Sequence, residues 1–505
     1  MRLAANNLEH IEPKSNLELP EPAHLQLPEK VLQFGTGVLL RGLPDYYIDK
    51  ANKQGVFNGR IVIVKSTDRN RASDFDEQDN LYTVCVKGIE DGRKVDRYHV
   101  NAAVSRVLTA TEHWDAVLEL ATSADLQVVI SNTTELGIVL KKDDVIAGNQ
   151  APESFPGKLV SFLYKRFQHF EGSEASGLVI LPTELIGDNG GRLKAYCLEL
   201  AQINDLGEAF TNWLTTANDF CNTLVDRIVP GLLNAHDKRK AASYLGFDDD
   251  LMIMSEVYSL WAIETSSERT RGILSFAKAS GRIVVTPNIE RFRNLKLRLL
   301  NGAHTFSCGL ALLSGFETVK EAMENGFFER YLNDLMVAEI TKTLVGDDIR
   351  DEEAVHFARS VMDRFRNPYI EHRWESIATN YSSKMMMRNI PTLLTWYERF
   401  PGKVPAAMAL GFASYIYFMR SEQTGEDKYV RNNYGKQILI DDYLAGKMYA
   451  HWQTTSCEEA VQRVLSDDSL WGTDLTKLHG FEDAVMNNIR KLRTQTKLNS
   501  NKATV

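Results

Sequence analysis

The stretch KVLQFGTGVLLRG, residues 30–42, combines an apolar run of strand length, two glycines and the start of a helical pattern. Glycines after a strand permit a tight turn and let backbone N–H groups approach a pyrophosphate at the start of the helix. The third glycine of the usual GxGxxG pattern would stand at Leu40, so this motif is incomplete. The stretch favours a nucleotide site at Gly35 and Gly37, and the alternative is a turn without a ligand.

Strands and helices alternate across roughly the first 200 residues. Buried strands are predicted at RIVIVK (60–65), LQVVISN (126–132) and GLVILP (177–182), with helices between them. The alternation is typical of a Rossmann-like, doubly wound α/β domain. Apolar and polar residues alternate in LYTVCVKG (81–88) and RKVDRYHV (93–100), which IEDG separates, and this pattern predicts a β-hairpin insertion.

The two ends of the chain differ from this pattern. Residues 1–28 are polar and rich in proline, which predicts an irregular arm packed on, or trailing from, the first domain. Helical periodicity dominates after about residue 290, so we expect a dinucleotide-binding domain at 1–285 and a mostly α-helical substrate and catalytic domain at 286–505. The active site is expected in the cleft between them. Amphipathic helices are predicted at 291–313, 328–345, 351–366, 382–399, 404–420, 428–446 and 479–494.

Composition restricts the class of protein. The 505 residues are 44% hydrophobic and 25% charged, which is typical of a globular chain of two or three domains. The net charge of −9 argues against a nucleic-acid partner, since phosphate binding needs a concentrated basic face. Five scattered cysteines without a CxxC pair favour reduced thiols over disulfides or a zinc site. We expect a cytoplasmic protein without a membrane segment, as a monomer or small homo-oligomer.

Polar residues that follow two predicted strands are candidates for cofactor contacts. Asp68 follows RIVIVK and could hold an adenosine ribose, although a turn-forming aspartate in a solvated loop is the alternative. Lys65 and Arg69 keep NADP open beside NAD. The residues after LQVVIS could instead cap a helix, since Asn and Thr are good N-caps. The candidates for the nicotinamide half of the cofactor are Asn132, Thr133 and Glu135.

A second set of polar residues interrupts the apolar segment NLKLRLLNGAHT, residues 294–305. Offsets of five and eight residues span an arc of roughly 140° on an α-helix, so Lys296, Asn301 and His304 share one face. Polar groups on a packed helix need partners or a function. The bland alternative is a solvated stripe with local hydrogen bonds.

A proton-transfer site is the functional hypothesis for these three residues. Lys296 would act as the base if burial lowered its pKa from about 10.4 toward roughly 7–8. Asn301 would donate to the reacting oxygen, and His304 would orient the substrate or the lysine. Eight residues of α-helix rise about 12 Å, so convergence needs long side chains or a distortion near Gly302.

Three motifs resemble those of one family. KLRLLNGAH is similar to the K-x4-N-x2-H pattern of the polyol-specific long-chain dehydrogenases, the mannitol dehydrogenase family. FGTGVLLRG resembles the family's cofactor turn, GxGxxxR, which accounts for Leu40 and adds Arg41. FCNTLVDRIVP, residues 220–230, is similar to the signature N-S/T-x-V-D-R-I and adds Asp226. The resemblance extends over most of the chain and implies an NAD-dependent, metal-independent alcohol oxidoreductase.

The substrate follows from the same resemblance. SNTTE, LPTELI, FRNPYIEH and NGAHT are most similar to segments of members that interconvert D-altronate and D-tagaturonate. A small sugar-acid substrate needs a cation for its carboxylate, and residues 364–388 are rich in candidates. We expect Lys384 and Arg388 to bind the carboxylate and His372 to contact hydroxyl groups. Each of these could instead be a solvated or salt-bridged surface group.

Two departures bear on the choice of substrate. The mannitol enzymes carry a second oxyanion asparagine in a C-D-N segment, and Thr183-Glu184-Leu185 stands there in this chain. Their substrate arginine corresponds to Ser376. Both differences disfavour mannitol. The alternatives are D-fructuronate/D-mannonate or a neutral polyol such as mannitol or arabinitol, and a nucleotide-binding sensor without catalysis.

Overall fold

The computed structural model describes residues 1–65, 73–133, 137–146, 148, 150–346, 348–433, 435–454 and 456–500, without the side chains of 73 and 495–500. Two of the predicted cofactor residues, Asp68 and Glu135, lie outside the described residues. The chain forms two compact units: Met1–Gly88 with Lys94–Ile289, and Ile89–Arg93 with Glu290–Val505. Among the described residues, no helix has the length and apolar character that crossing a membrane requires.

The strands of the first unit are β1 (Leu17–Glu18), β2 (Glu29–Phe34), β3 (Arg60–Lys65), β4 (Tyr82–Glu90), β5 (Arg93–Asn101), β6 (Val104–Thr109), β7 (Val128–Ser131), β8 (Val179–Pro182), β9 (Asp219–Phe220), β10 (Thr223–Asp226), β11 (Gly231–Leu232), β12 (Ile253–Glu256), β13 (Leu260–Glu264) and β14 (Ile283–Thr286). Six of them form a parallel sheet with the order β6-β3-β2-β7-β8-β9. Numbered along the chain within this sheet, the order is the doubly wound arrangement 3-2-1-4-5-6, in which the first strand lies at the centre and the order reverses beside it.

Both faces of the parallel sheet are buried. Successive residues of a strand point to opposite faces, so an uninterrupted apolar strand supplies two cores at once. One core contains Val31, Ile61, Ile63, Val128 and Ile130, and the other contains Leu32, Phe34, Val62, Val64 and Val129. The helices of this unit are α1 (Val38–Gly42), α2 (Pro44–Lys53), α3 (Ser73–Asp76), α4 (Trp114–Leu120), α5 (Phe155–His169), α6 (Asn189–Ile203), α7 (Glu208–Thr216), α8 (Ala235–Leu245) and α9 (Glu268–Ile273).

The predicted hairpin insertion is confirmed. β4 and β5 are neighbours, and the turn between them, Asp91-Gly92, has φ values of 51° and 71°. Positive φ at both central residues is the type I′ geometry, which matches the twist of the flanking strands. Beside the hairpin, β1 pairs with β5, and Leu3 and Leu8 are buried. The N-terminal arm is therefore packed on the first unit.

The second unit is mostly helical. Residues 290–313 form one continuous helix, in which a π-helical turn separates two α-helical parts. The π-helical turns of the unit are Lys296–Gly302, Asp334–Ile340 and Met385–Asn389. Its α-helices are α10 (Glu290–Leu295), α11 (Ala303–Leu313), α12 (Val319–Met323), α13 (Gly326–Asn333), α14 (Thr341–Leu344), α15 (Asp351–Phe365), α16 (Trp374–Ala378), α17 (Tyr381–Lys384), α18 (Ile390–Arg399), α19 (Ala406–Phe418), α20 (Ala445–Trp452), α21 (Cys457–Ser466), α22 (Asp468–Trp471) and α23 (Phe481–Ser500).

Helix α11 carries the candidate residue His304 and packs closely against α19. A Cβ atom at Gly309 would stand 2.7 Å from the carbonyl oxygen of Ser414, so only glycine permits this helix crossing. The Gly309 N–H also donates a hydrogen bond to the hydroxyl oxygen of the buried Tyr381 at 2.8 Å. These contacts anchor the helix that bears the site.

The predicted helix at 428–446 is wrong. This region forms an antiparallel sheet of β15 (Glu422–Gly425), β16 (Lys428–Asn433) and β17 (Lys436–Leu439). Tyr429, Arg431 and Asn433 alternate on the buried face of β16. Arg431 donates to the Arg420 carbonyl at 2.8 Å, and Asn433 donates to the Leu312 carbonyl at 2.6 Å. Tertiary contacts thus satisfy polar side chains that concealed the strand periodicity.

Candidate active site

The glycine turn follows the central strand β2. Gly35 has a φ of +117°, and a Cβ at this position would lie 3.0 Å from the Asn132 carbonyl oxygen. Both the conformation and the close approach therefore require glycine. Gly37 precedes α1, and no heavy atom lies within 4 Å of the position that its Cβ would take. The backbone at Gly37 is open to a bulky ligand group, which fits the predicted pyrophosphate.

Residues beyond β7 and β8 are joined by hydrogen bonds at the carboxyl edge of the sheet. The Asn132 amide donates to the carbonyl and hydroxyl oxygens of Thr183, both at 3.0 Å. Thr133 donates to Glu184 through its backbone N–H at 3.0 Å and its hydroxyl at 2.9 Å. Ser131 donates to the second oxygen of Glu184 at 3.1 Å. Asn132 and Thr133, which are predicted to face the nicotinamide, are thus held in place from the neighbouring strand.

Glu184 was not among the predicted site residues. Its position in the segment that replaces the family's C-D-N stretch was the available signal. Burial raises the pKa of Glu184, while its hydrogen bonds from Thr133 and Ser131 oppose that effect. Leu185, the next residue, is 60% exposed. Glu184 organises the loop, and Leu185 supplies an apolar surface where the mannitol enzymes carry a polar amide.

Arg41 has a packing role in this structure. Its side chain is buried, Nη1 donates to the Leu251 carbonyl oxygen at 2.9 Å, and the guanidinium lies over the rings of Phe75 and Tyr82. Burial lowers the pKa of Arg41. The guanidinium is thus engaged within the fold and anchors α1 to the domain. A cofactor contact of Arg41, which the resemblance implies, stays a prediction.

The second cofactor motif lies at the end of β10. Asp226 is buried and stands opposite Leu260 of β13. The adjacent Arg227 donates to the carbonyl oxygens of Gly42 at 2.5 Å and Glu256 at 3.0 Å. This motif therefore packs against the end of the helix that follows the glycine turn. A cofactor contact of Asp226 itself stays a prediction.

The π-helical turn Lys296–Gly302 contains two of the three predicted catalytic residues. Lys296 and Asn301 are half-buried, and His304 follows in the first turn of α11. Hydrogen bonds of the i→i+5 type bring residue i+5 close to residue i on the helix surface. Lys296 and Asn301 have this spacing. Of the two routes to convergence that the sequence left open, the structure contains a distortion near Gly302, because the π-helical turn ends there.

His304 is buried between aromatic rings. Its imidazole stacks on Phe365 with ring centroids 4.1 Å apart, and the His372 ring lies at 4.9 Å in an edge-on arrangement. Burial lowers the pKa of His304 well below its usual value, and the nearby His372, Arg364 and Arg388 lower it further. The ring is therefore neutral near pH 7. Within the described part of the chain, its Nε2 atom has no hydrogen-bond partner.

The three predicted substrate residues belong to the same electrostatic cluster. Burial lowers the pKa of His372, and the charges of Arg364 and Lys384 add to this effect. The Lys384 ammonium donates to the Ile377 carbonyl at 3.0 Å. Burial and then Arg388 lower the pKa of Lys384, against smaller opposing effects that include Asp442. A half-buried group of cations therefore lies beside two neutral imidazoles.

Arg364 is a second residue that the sequence analysis did not single out. It is buried, and its charge acts on both histidines of the cluster. The only available signal was its position at the start of the cation-rich segment 364–388. Ser376, which stands where the mannitol enzymes carry an arginine, is exposed.

The strand order and the glycine turn are those of the Rossmann-type, dinucleotide-binding class. Comparison with known families extends this assignment to both units. The Mannitol dehydrogenase Rossmann domain matches residues 29–273, and the Mannitol dehydrogenase C-terminal domain matches residues 288–493. The chain belongs to the mannitol dehydrogenase family of oxidoreductases.

Curated relatives and solved structures agree with that membership. An altronate oxidoreductase of Bacillus subtilis (strain 168) is 37% identical over 479 residues, 94% of this chain and 95% of the relative. One from Bacteroides thetaiotaomicron is 32% identical over 462 residues, 91% and 94% of the two chains. A substrate-free D-sorbitol dehydrogenase has a TM-score of 0.77 at 20% identity, covering 98% of this chain and 99% of its own. Pseudomonas fluorescens mannitol 2-dehydrogenase, in a ternary complex with NAD and D-mannitol, has a TM-score of 0.64 at 19% identity, covering 99% of both chains.

Proposed function

We propose that the protein is a tagaturonate reductase, or altronate oxidoreductase, which interconverts D-tagaturonate and D-altronate with NAD and without a metal in hexuronate catabolism. The observation that carries this proposal is the cluster of Lys384 and Arg388 beside His304 and His372. A neutral polyol gives such a cluster no anion to bind, whereas a sugar acid supplies one carboxylate. Relatives named altronate oxidoreductase at 32–37% identity support the same choice.

The first unit would hold the cofactor. We propose that the backbone at Gly35 and Gly37 receives the pyrophosphate, since the space above Gly37 is open. Asn132 and Thr133 would border the nicotinamide half. We retain Asp68 and Glu135 as further cofactor residues from their positions after predicted strands, and Arg41 and Asp226 from the family motifs. The NAD in the Pseudomonas fluorescens complex supports NAD as the cofactor.

The second unit would supply the acid–base chemistry. A nicotinamide cofactor held by the first unit would supply the hydride acceptor for oxidation of the alcohol. Lys296 would take the hydroxyl proton during oxidation and return it to the ketone oxygen during reduction. Asn301 would donate a hydrogen bond to that oxygen as negative charge develops on it. The unpartnered Nε2 of His304 would bind a neighbouring hydroxyl group and orient the substrate.

The substrate would be held at its charged end. Lys384 and Arg388 would bind the carboxylate, and the half-buried setting would strengthen each charge-assisted hydrogen bond. His372 is held neutral by burial and by nearby cations, which lower its pKa, so it can both donate to and accept from hydroxyl groups. Substrate and cofactor residues of the two units would serve one reaction in a cytoplasmic monomer or small homo-oligomer.

The test is the absorbance of the nicotinamide band with purified protein. D-Tagaturonate should oxidise NADH, and D-altronate should reduce NAD, with NADPH and NADP much less effective. D-Fructuronate, D-mannonate, D-mannitol and D-arabinitol are the comparison substrates. Equal or better turnover of a neutral polyol would contradict the sugar-acid assignment. Better turnover of D-mannonate than of D-altronate would identify D-mannonate as the substrate. No turnover of any of them would favour a nucleotide sensor.

A further inference from the structure

Two of the three π-helical turns named above pack against each other in the second unit. One is Lys296–Gly302, which carries the proposed base, and the other is Met385–Asn389, which carries Arg388. Arg298 lies in the first turn, and its Nη1 donates to the backbone carbonyl of Arg388 at 2.6 Å. The guanidinium of one turn therefore satisfies a carbonyl of the other.

A second connection runs in the opposite direction. Arg388 donates through Nη1 to the Thr305 hydroxyl at 3.2 Å, and this hydroxyl donates to the Asn301 carbonyl at 2.8 Å. Thr305 is fully buried, so no water competes for its hydroxyl. One hydroxyl thus joins the side chain of the proposed carboxylate ligand to the backbone of the proposed oxyanion donor.

The two turns also meet through a small residue. A Cβ atom at Gly302 would stand 3.3 Å from Asn389 Oδ1 and 3.4 Å from the Leu297 carbonyl oxygen. Asn389 is completely buried. The facing turns therefore approach closely at the point where the π-helical geometry ends and α11 begins.

The helix geometry decides the relative direction of Lys296 and Asn301. In an α-helix, residues five apart point about 140° away from each other. In a turn closed by i→i+5 hydrogen bonds, the same two residues point in more similar directions, because the turn is wider. A relaxation of residues 296–302 to α-helical bonding would rotate Asn301 away from Lys296 without removing either side chain.

We infer that Arg298 and Thr305 are positioning residues, which clamp the two π-helical turns and so hold the side chains of Lys296 and Asn301 closer in direction than an α-helix would. The expected effect on catalysis rests on the proposed function. The expected effect on the π-helical turn is independent of the proposed function. Arg298 and Thr305 themselves need not touch the substrate.

The experiment compares four variants of the full-length protein with the wild type. Thr305→Val and Arg298→Met remove the two connections, and Thr305→Ser keeps the hydroxyl. Thr341→Val is the matched control, since Thr341 is also fully buried and donates to the carbonyl four residues earlier, Val337 at 2.7 Å, in the third π-helical turn. The measurements are kcat and KM for D-altronate, amide hydrogen exchange of residues 296–302, and the thermal midpoint.

We expect Thr305→Val and Arg298→Met to lower kcat by about tenfold to a hundredfold, because a misplacement of about 1 Å has effects of this size. Exchange of residues 296–302 should become about tenfold faster, as the loss of one stabilising hydrogen bond predicts. Thr305→Ser should restore kcat to within about threefold of the wild type, since it keeps the hydrogen-bonding group. Thr341→Val should leave both readouts unchanged.

Hydrogen exchange decides the inference even without turnover. If wild-type protein oxidises none of the substrates, the proposed function fails, while faster exchange in the two clamp variants still supports the clamp. Unchanged exchange at 296–302 in both variants overturns it, whatever their activity. It is also overturned if the serine and valine variants of Thr305 lose kcat equally, or if Thr341→Val matches them.

Discussion

Replacement of Lys384 by methionine tests the recognition of the substrate carboxylate. The change keeps the apolar stem of the side chain and removes the ammonium, which is half-buried and bonded to the Ile377 carbonyl. Burial and then the charge of Arg388 lower the pKa of Lys384, and a bound carboxylate would offset the repulsion between these two cations. The variant should therefore lose affinity for an anionic substrate specifically.

The magnitude follows from the kind of contact. A hydrogen bond to a charged partner contributes about 1.5–3 kcal/mol, and partial exposure of Lys384 favours the lower part of this range. A loss of about 2 kcal/mol corresponds to roughly a thirtyfold decrease in kcat/KM. D-Altritol, which carries a hydroxymethyl group where D-altronate has its carboxylate, should lose less than about threefold, because it forms no ion pair.

The assay is the ratio of kcat/KM for D-altronate and D-altritol, measured with NAD for wild-type and variant protein. Lys436→Met is the control, since Lys436 is an exposed lysine of the same unit that pairs with Glu375 at 2.6 Å. An equal loss on both substrates would refute the assignment of Lys384 to the carboxylate. An unchanged ratio in the control shows that the loss of a surface charge has no such effect.

Four further predictions concern single residues. Lys296→Ala should lower kcat by about 10²–10⁴-fold, the usual contribution of a general base, while NADH binding measured by fluorescence stays intact; an undiminished kcat would remove the proton-transfer role. Gly35→Ala should weaken NADH binding about thirtyfold, because the φ of +117° and the nearby Asn132 carbonyl would cause strain of about 2 kcal/mol. Gly272→Ala is the control and should leave NADH binding unchanged, since a Cβ atom at Gly272 has no neighbour within 4 Å. Arg166→Met should lower the free energy of unfolding in urea by about 4 kcal/mol, since the buried guanidinium donates to four backbone carbonyls; a loss under about 1 kcal/mol would contradict this. Burial lowers the pKa of His304 in the folded protein, so the free energy of unfolding should fall as the pH drops below about 6.5. The decrease should exceed that of the His304→Asn variant by up to about 1.4 kcal/mol per pH unit. Parallel plots of unfolding free energy against pH for the two proteins would contradict this prediction.

Strand and turn patterns predicted most of the first unit because local sequence and tertiary environment agree there. RIVIVK is apolar at its four central positions, and it becomes β3 with all six residues buried. Asp91-Gly92 accepts positive φ at both positions, and the hairpin forms around it. The helix prediction was wrong at 428–433 because the buried face of this strand carries the polar residues Arg431 and Asn433. Their burial is possible because the backbone carbonyls of Arg420 and Leu312 accept hydrogen bonds from them.

In the candidate site too, some features could be predicted from the sequence and others depend on tertiary contacts. The spacing of Lys296, Asn301 and His304 indicated a shared face and either long side chains or a distortion near Gly302, and the helix contains a distortion there, a π-helical turn. No local pattern indicated that Arg41 would be buried against the Leu251 carbonyl, 210 residues away in the chain. A motif identified Arg41, but the packing of the domain decided which contact it makes.

The sequence by itself determined the alternation of strands and helices, the glycine turn and the spacing of the proposed acid–base residues Lys296, Asn301 and His304. These features depend on period, side-chain volume and backbone freedom, which are properties of neighbouring residues. The tertiary structure alone decided the neutral state of His304, the cluster of His372, Lys384 and Arg388 around it, and the contact between two π-helical turns. Desolvation and charge act through space, so their effect on a group depends on residues that the chain brings near it from distant positions.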